Sequence, residues 1–316
     1  MKNLAALLTI YLLTSLVVFA SAEISKAKLL PLAVSFILLF IAYIWYRRYS
    51  RKIELSEEIP EVDVGKVWAL IFGLFFLSML VRIPFVLLYG EPYEKIVVIY
   101  LILMTMTRIL HCKPSVFGFK FEGIGKSLTV GAVYYAVLEF SAVIVQLVFV
   151  FLFVGEIYVI GYDFVPFLLS FPFATFCVGI SEEGLFRGLM QTLLQKFYSA
   201  KVAIFVQSAL FGLWHFIWHV SPLNFGEMAA HILSSFIIGA LFGYFYSIAG
   251  NLAPLILVHG LVDSFPFGYV LNQTAVGKLA NSSIFSQFMV YVAPYILSIT
   301  LVFILTRRLA EWMKKP

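Results

Sequence analysis

Three short stretches place acid–base side chains where the surrounding sequence is almost wholly apolar: "EEGLFR" at 182–187, "FGLWH" at 211–215 and "HGLVD" at 259–263. Charged groups and histidines inside a membrane helix cost several kcal/mol unless paired or hydrated, so each is a candidate functional residue. A carboxylate beside an imidazole suits general acid–base work on a water molecule, and Glu182 with His215 supplies that combination. Glu183 and Arg187 stand at i and i+4 with the glutamate amino-terminal, the better orientation for an ion pair. Helical neighbours point about 100° apart, so Glu183 is assigned to Arg187 and Glu182 is left for chemistry.

The elements that must position these groups follow from spacing. The connection "QKFYSAK" (195–201) between two apolar runs is short, which predicts an antiparallel helical hairpin. Glu182 precedes Lys196 by 14 residues and His215 follows Lys201 by 14. At helical rise both lie about 21 Å from the turn, so the hairpin can bring them together. A further helix starts after "YSIAGN" with Pro254 in its first turn, where proline is tolerated. His259 and Asp263 share one face of it, at a depth of about 12–18 Å. A tilt of the helices would gather all four side chains around one cavity.

Those elements belong to an all-α polytopic membrane protein. The chain is 62% hydrophobic with 12% charged residues, against roughly 25% in a soluble domain. Apolar runs are expected as helices at 4–20, 29–46, 67–89, 96–112, 128–155, 165–195, 201–219, 228–248, 251–271 and 287–306. Backbone groups in lipid must be satisfied within the segment, giving a bundle of about 8–10 transmembrane helices with an intramembrane cavity open to the cytoplasm. Basic residues cluster in alternate breaks, from Arg47 to Lys66, Arg108 to Lys126, Lys196 to Lys201 and Arg307 to Lys315. The intervening breaks hold Glu91, Glu94 and Lys95, then Glu156 and Asp163. The positive-inside rule puts the first set, and both termini, in the cytoplasm.

Lys2, an apolar run and "VVFASAE" also have the form of a secretory signal, with cleavage before Glu23 as the alternative to an uncleaved first helix. The expected organisation is an amino-terminal set of helices at 1–112, with a basic then acidic loop at 47–66, and a membrane domain at 113–316 that carries the three motifs. The net charge of +5 is spread between helices, which argues against nucleic acid as a partner. Cys112 and Cys177 form neither a disulfide framework nor a C-x-x-C site. The sequences "NQT" at Asn272 and "NSS" at Asn281 fit a glycosylation pattern too common to carry weight.

In order, the three stretches follow the patterns EExxxR, FxxxH and HxxxN or HxxxD. They resemble the CAAX-protease and bacteriocin-processing family of intramembrane endopeptidases, which includes the type II CAAX prenyl proteases, over roughly residues 115–270. The resemblance implies that Glu182 and His215 activate a water and that His259 and position 263 face the oxyanion. Glu183 and Arg187, paired by their spacing, and Phe211, the first residue of the second motif, are expected as supporting residues, with a purely structural Glu183–Arg187 pair as the alternative. It implies a membrane-anchored peptide or protein substrate within the bilayer, with a prenylated CAAX chain as the family's best-known type. Loss of one oxyanion donor typically costs about 2.7–4 kcal/mol of barrier. Asp263 stands at the last motif position. An ionised aspartate would repel an oxyanion, so Asp263 is either protonated or orients His259 as an acceptor.

Other readings stay open at this level. Glu182, His215 and His259 with a water would make an acceptable open zinc site, against the metal-free reading adopted. His215 and His219 are at i and i+4, but "HFIWH" has no glutamate between them. His219 is expected at the interface, His231 stands alone on an apolar face, and Arg82 and Glu139 are assigned no role. A proton-coupled transporter using Glu182 and the histidines as a relay is the reading from another class. Repeats with discontinuous helices would favour it, and the sequence contains no such repeat. A non-catalytic scaffold or immunity protein is disfavoured by the intact motifs.

Overall fold

The computed structural model describes residues 2–24, 29–120, 122–154, 164–264, 278 and 281–315, and among these every regular element is helical. Helices α1 (Lys2–Ile24), α2 (Leu29–Lys52) and α3 (Val64–Tyr89) are followed by α4 (Lys95–Met104), which runs on as a π turn at Thr105–Ile109. Next come α5 (Ile124–Val154), α6 (Phe164–Phe173), α7 (Ile180–Glu183), α8 (Thr192–Leu194) and α9 (Ala200–Trp214). The last are α10 (Phe225–Ala249), α11 (Ala253–Ser264), α12 (Ile284–Tyr291) and α13 (Ala293–Lys314). Among the described residues, seven helices are long and apolar enough to cross a bilayer.

Local sequence sets the ends of these helices. The Asp63 carboxylate accepts from the Lys66 N–H at 2.9 Å and caps α3, whose last turn closes on left-handed Gly90. Ser199 caps α9 and Asn224 caps α10 through their side-chain oxygens. The run expected as one helix over 165–195 is interrupted by π turns at Ala174–Gly179 and Gly184–Gln191. Such insertions shift the helical register and occur often at functional sites. The helix expected over 201–219 tightens into a 3₁₀ turn at Phe216–His219. Residues 265–271 of the helix expected over 251–271 lie outside the described residues, as do Glu156, Asp163 and Asn272.

The chain divides into two compact units, Met1–Glu122 with Cys177–Leu252, and Gly123–Phe176 with Ala253–Pro316. In the first, α9 packs on α10 and on the π turn after α7, while α4 packs on α1 and α7. The Tyr11 hydroxyl donates to the Leu77 carbonyl at 3.0 Å, which ties α1 to α3. In the second, α11, α12 and α13 pack on α5, and α11 also packs on α6. Hydroxyls join its helices, with Ser298 donating to the Leu138 carbonyl and Tyr134 meeting Thr306 at 3.2 Å. Small hydroxyl residues play this part between membrane helices because apolar burial gives little drive there.

Candidate active site

Glu182 sits in the four-residue helix α7, 2% exposed. One carboxylate oxygen, Oε1, receives the Lys95 ammonium and, at 3.0 Å, the Trp214 indole N–H. Arg82 Nη1 lies 4.0 Å from the same atom and donates to Glu94 Oε1 at 2.7 Å. Lys95 Nζ is 3.3 Å from that Glu94 oxygen. Two cations and two carboxylates thus form a buried set with no net formal charge. The Trp214 ring is contacted by both cations, with the Arg82 guanidinium 4.7 Å and the Lys95 ammonium 4.8 Å from its centroid.

This cluster corrects the placement of Glu94 and Lys95 in a watery break. Both are buried at the start of α4, at 0% and 1% exposure. Their partners are 12 and 87 residues away in sequence. A charge at a helix start reads as a loop signal unless its partner is visible, and here the pairing is what makes burial tolerable.

His215 closes α9 as its C-terminal cap. Its Nδ1 lies 2.8 Å from the Phe211 carbonyl. A carbonyl only accepts, so Nδ1 carries the hydrogen and, in the neutral ring, Nε2 is an acceptor. Nε2 faces Glu182 Oε2 at 3.9 Å. A water about 2.8 Å from each fits the separation.

Phe211 acts through both its carbonyl and its ring. The ring packs edge-on to His215 at 4.8 Å and to Phe186 at 5.1 Å. Over the ring sits the Arg187 guanidinium, 4.2 Å from the centroid, and Arg187 pairs with Glu183 at 3.2 Å. Both members of that pair are fully buried. Gly212 lets α10 approach, since a Cβ there would lie 2.7 Å from the Ile232 carbonyl oxygen.

His231, expected alone, is joined to the other histidines. Its Nδ1 is 3.0 Å from His219 Nε2, and its ring centroid is 4.9 Å from that of His215. His219 Nδ1 in turn lies 3.5 Å from the exposed Glu227 carboxylate. The sequence signal for this was the i and i+4 spacing of His215 and His219, and His231 comes from the facing helix α10.

His259 and Asp263 belong to the second unit, on α11. His259 Nε2 is 3.5 Å from Asp263 Oδ2, with the histidine buried and the aspartate 41% exposed. Gly260 between them is pressed against the turn after α6, where an added Cβ would lie 2.1 Å from Thr175 Oγ1. Overpacking of this kind typically costs about 1–3 kcal/mol. Gly260→Ala is therefore expected to lower stability by about that much in a detergent unfolding titration, and wild-type stability would refute the close approach.

Among the described residues, no three His, Cys, Asp or Glu side chains are grouped as ligands for a metal ion. Residues 164–265, about a third of the chain, match the family model described as "Rce1-like: Type II CAAX prenyl endopeptidase Rce1-like". The resemblance carried by the three motifs is borne out over that segment, which holds Glu182, Glu183, Arg187, Phe211, His215, His259 and Asp263. No curated protein and no solved structure matches the chain.

Proposed function

We propose, for a chain whose residues 164–265 match the Rce1-like model of type II CAAX prenyl endopeptidases, that the protein is an intramembrane endopeptidase. It hydrolyses a peptide bond near the carboxyl terminus of a membrane-anchored substrate, a prenylated CAAX chain by the family's type, using water activated by Glu182 and His215. The observation that carries this reading is the pair of facing acceptors, Glu182 Oε2 and His215 Nε2, 3.9 Å apart.

The chemistry follows from which atoms are engaged. Lys95 and Trp214 bind Oε1, which fixes the carboxylate plane and turns Oε2 towards the imidazole. Lys95 and Arg82 set two cations beside Glu182 Oε1, leaving Oε2 to act on the water. Glu182 takes a proton from the water as its oxygen bonds to the scissile carbonyl carbon, and the carbonyl electrons move onto the oxyanion. The tetrahedral intermediate then collapses, the C–N bond breaks, and the stored proton passes to the leaving amine. The family resemblance assigns the oxyanion to His259 and position 263, and on α11 His259 Nε2 lies 3.5 Å from Asp263 Oδ2, a separation that suits Asp263 as the acceptor orienting the imidazole. Of the two roles open to Asp263, the 3.5 Å separation favours orientation of His259.

Purified full-length protein in detergent, offered a fluorogenic farnesylated CAAX peptide, tests the reading. Cleavage that survives a chelator and disappears in Glu182→Ala is expected. Full activity in Glu182→Ala would end the proposal, and loss on chelation reversed by zinc would replace water activation with a metal mechanism. An unprenylated peptide cleaved equally well would remove the prenyl group from the substrate definition. Trp214→Phe keeps a ring for the two cations but removes the N–H on Oε1. A hydrogen bond to a charged group contributes about 1.5–3 kcal/mol, so kcat is expected to fall about 10- to 100-fold with KM unchanged.

A further inference from the structure

At its carboxyl end α2 borders a groove of about 450 Å³ that also takes in Arg108 from the π turn after α4. The lining changes character along α2. Ile41 and Ile44 come first, then Trp45, Arg48, Tyr49 and Lys52, aromatic and basic in turn. From Ile41 to Lys52 the helix climbs about 16 Å, close to the half-thickness of a bilayer's hydrocarbon core, about 15 Å. An apolar start followed by interleaved aromatic and basic residues is the change met on leaving a bilayer.

The cations are placed for an anion. Trp45 and Tyr49 stack at 4.9 Å, and the Arg108 guanidinium lies 5.0 Å from the Tyr49 ring and 5.7 Å from Trp45. Arg108 Nε is buried with no hydrogen-bond partner among the described residues. Arg48 and Lys52 are like charges at i and i+4, an arrangement unfavourable by itself. Lys66, Lys113 and Arg307 pair with carboxylates, whereas the groove lining contains three cations and no acidic side chain.

We propose that this groove binds an anionic glycerophospholipid, its phosphate held by Arg48, Lys52 and Arg108, its glycerol region against Trp45 and Tyr49, and an acyl chain along Ile41 and Ile44. A free phosphate would use the same cations but would leave the apolar half of the groove unfilled. Basic pockets beside transmembrane helices recognise lipid headgroups in this way. The site lies outside the segment that matches the protease family, and its test needs no catalytic activity.

The test reconstitutes the full-length protein in phosphatidylcholine vesicles doped with brominated phosphatidylglycerol or with brominated phosphatidylcholine. Bromine quenches nearby tryptophan, and subtracting a Trp45→Phe sample isolates Trp45. The anionic lipid is expected to be enriched at Trp45, and the enrichment should fall about fivefold for each cation removed in Arg48→Gln and Lys52→Gln. Both positions are exposed, and Arg48→Lys, which keeps charge and fold, should keep the enrichment. Equal quenching by the two brominated lipids would overturn the proposal. So would release of the quenching by inorganic phosphate, which would make the groove a free-anion site.

Discussion

Glu182→Gln is expected to slow peptide hydrolysis by about 10²–10⁴-fold, the usual range for loss of a general base, and also to destabilise the protein. Adding Lys95→Met should restore stability and none of the activity. The set Arg82, Glu94, Lys95 and Glu182 is buried and formally neutral, so neutralising one carboxylate leaves an unbalanced buried cation. Breaking a buried pair costs about 3–5 kcal/mol, whereas replacing both partners by apolar or neutral groups is often neutral. Measuring kcat/KM beside a detergent unfolding titration separates the two effects. If the double variant regained activity with its stability, Glu182 would be a structural anion and the water would need another base.

The meeting of Glu182 with His215 was legible in the sequence, because a short turn and equal helical distances on either side of it place two side chains at one depth. The Glu183–Arg187 pair was legible too, since both partners lie one turn apart on one segment. What could not be read was every contact made between distant segments. Lys95 and Glu94 stand at a helix start, where charge is normal, and only the fold shows that they close on α7. Arg82 gave a signal as a lone cation in an apolar run, yet its partner Glu94 lies across a turn that the sequence assigns to water. The helix count was approximate for a related reason. The π turns at Ala174–Gly179 and Gly184–Gln191 are invisible to apolar periodicity, which continues through them.

The adjacent glutamates are distinguished by a second pair of substitutions. Arg187→Met is expected to cost about 3–5 kcal/mol of stability, since it strands the buried Glu183 carboxylate. Combining it with Glu183→Gln should recover most of that loss, because methionine can still pack on the Phe211 and Phe242 rings that the guanidinium now covers. Here, unlike at 182 and 95, activity should return with stability. Arg187 covers the ring of Phe211, whose carbonyl fixes the His215 imidazole from α9 and remains in the double variant. The comparison is of kcat/KM and unfolding midpoint in both double variants. A Glu183→Gln and Arg187→Met protein that is stable but inactive would show that the charge of this pair, and not only its packing, is felt at the reacting water.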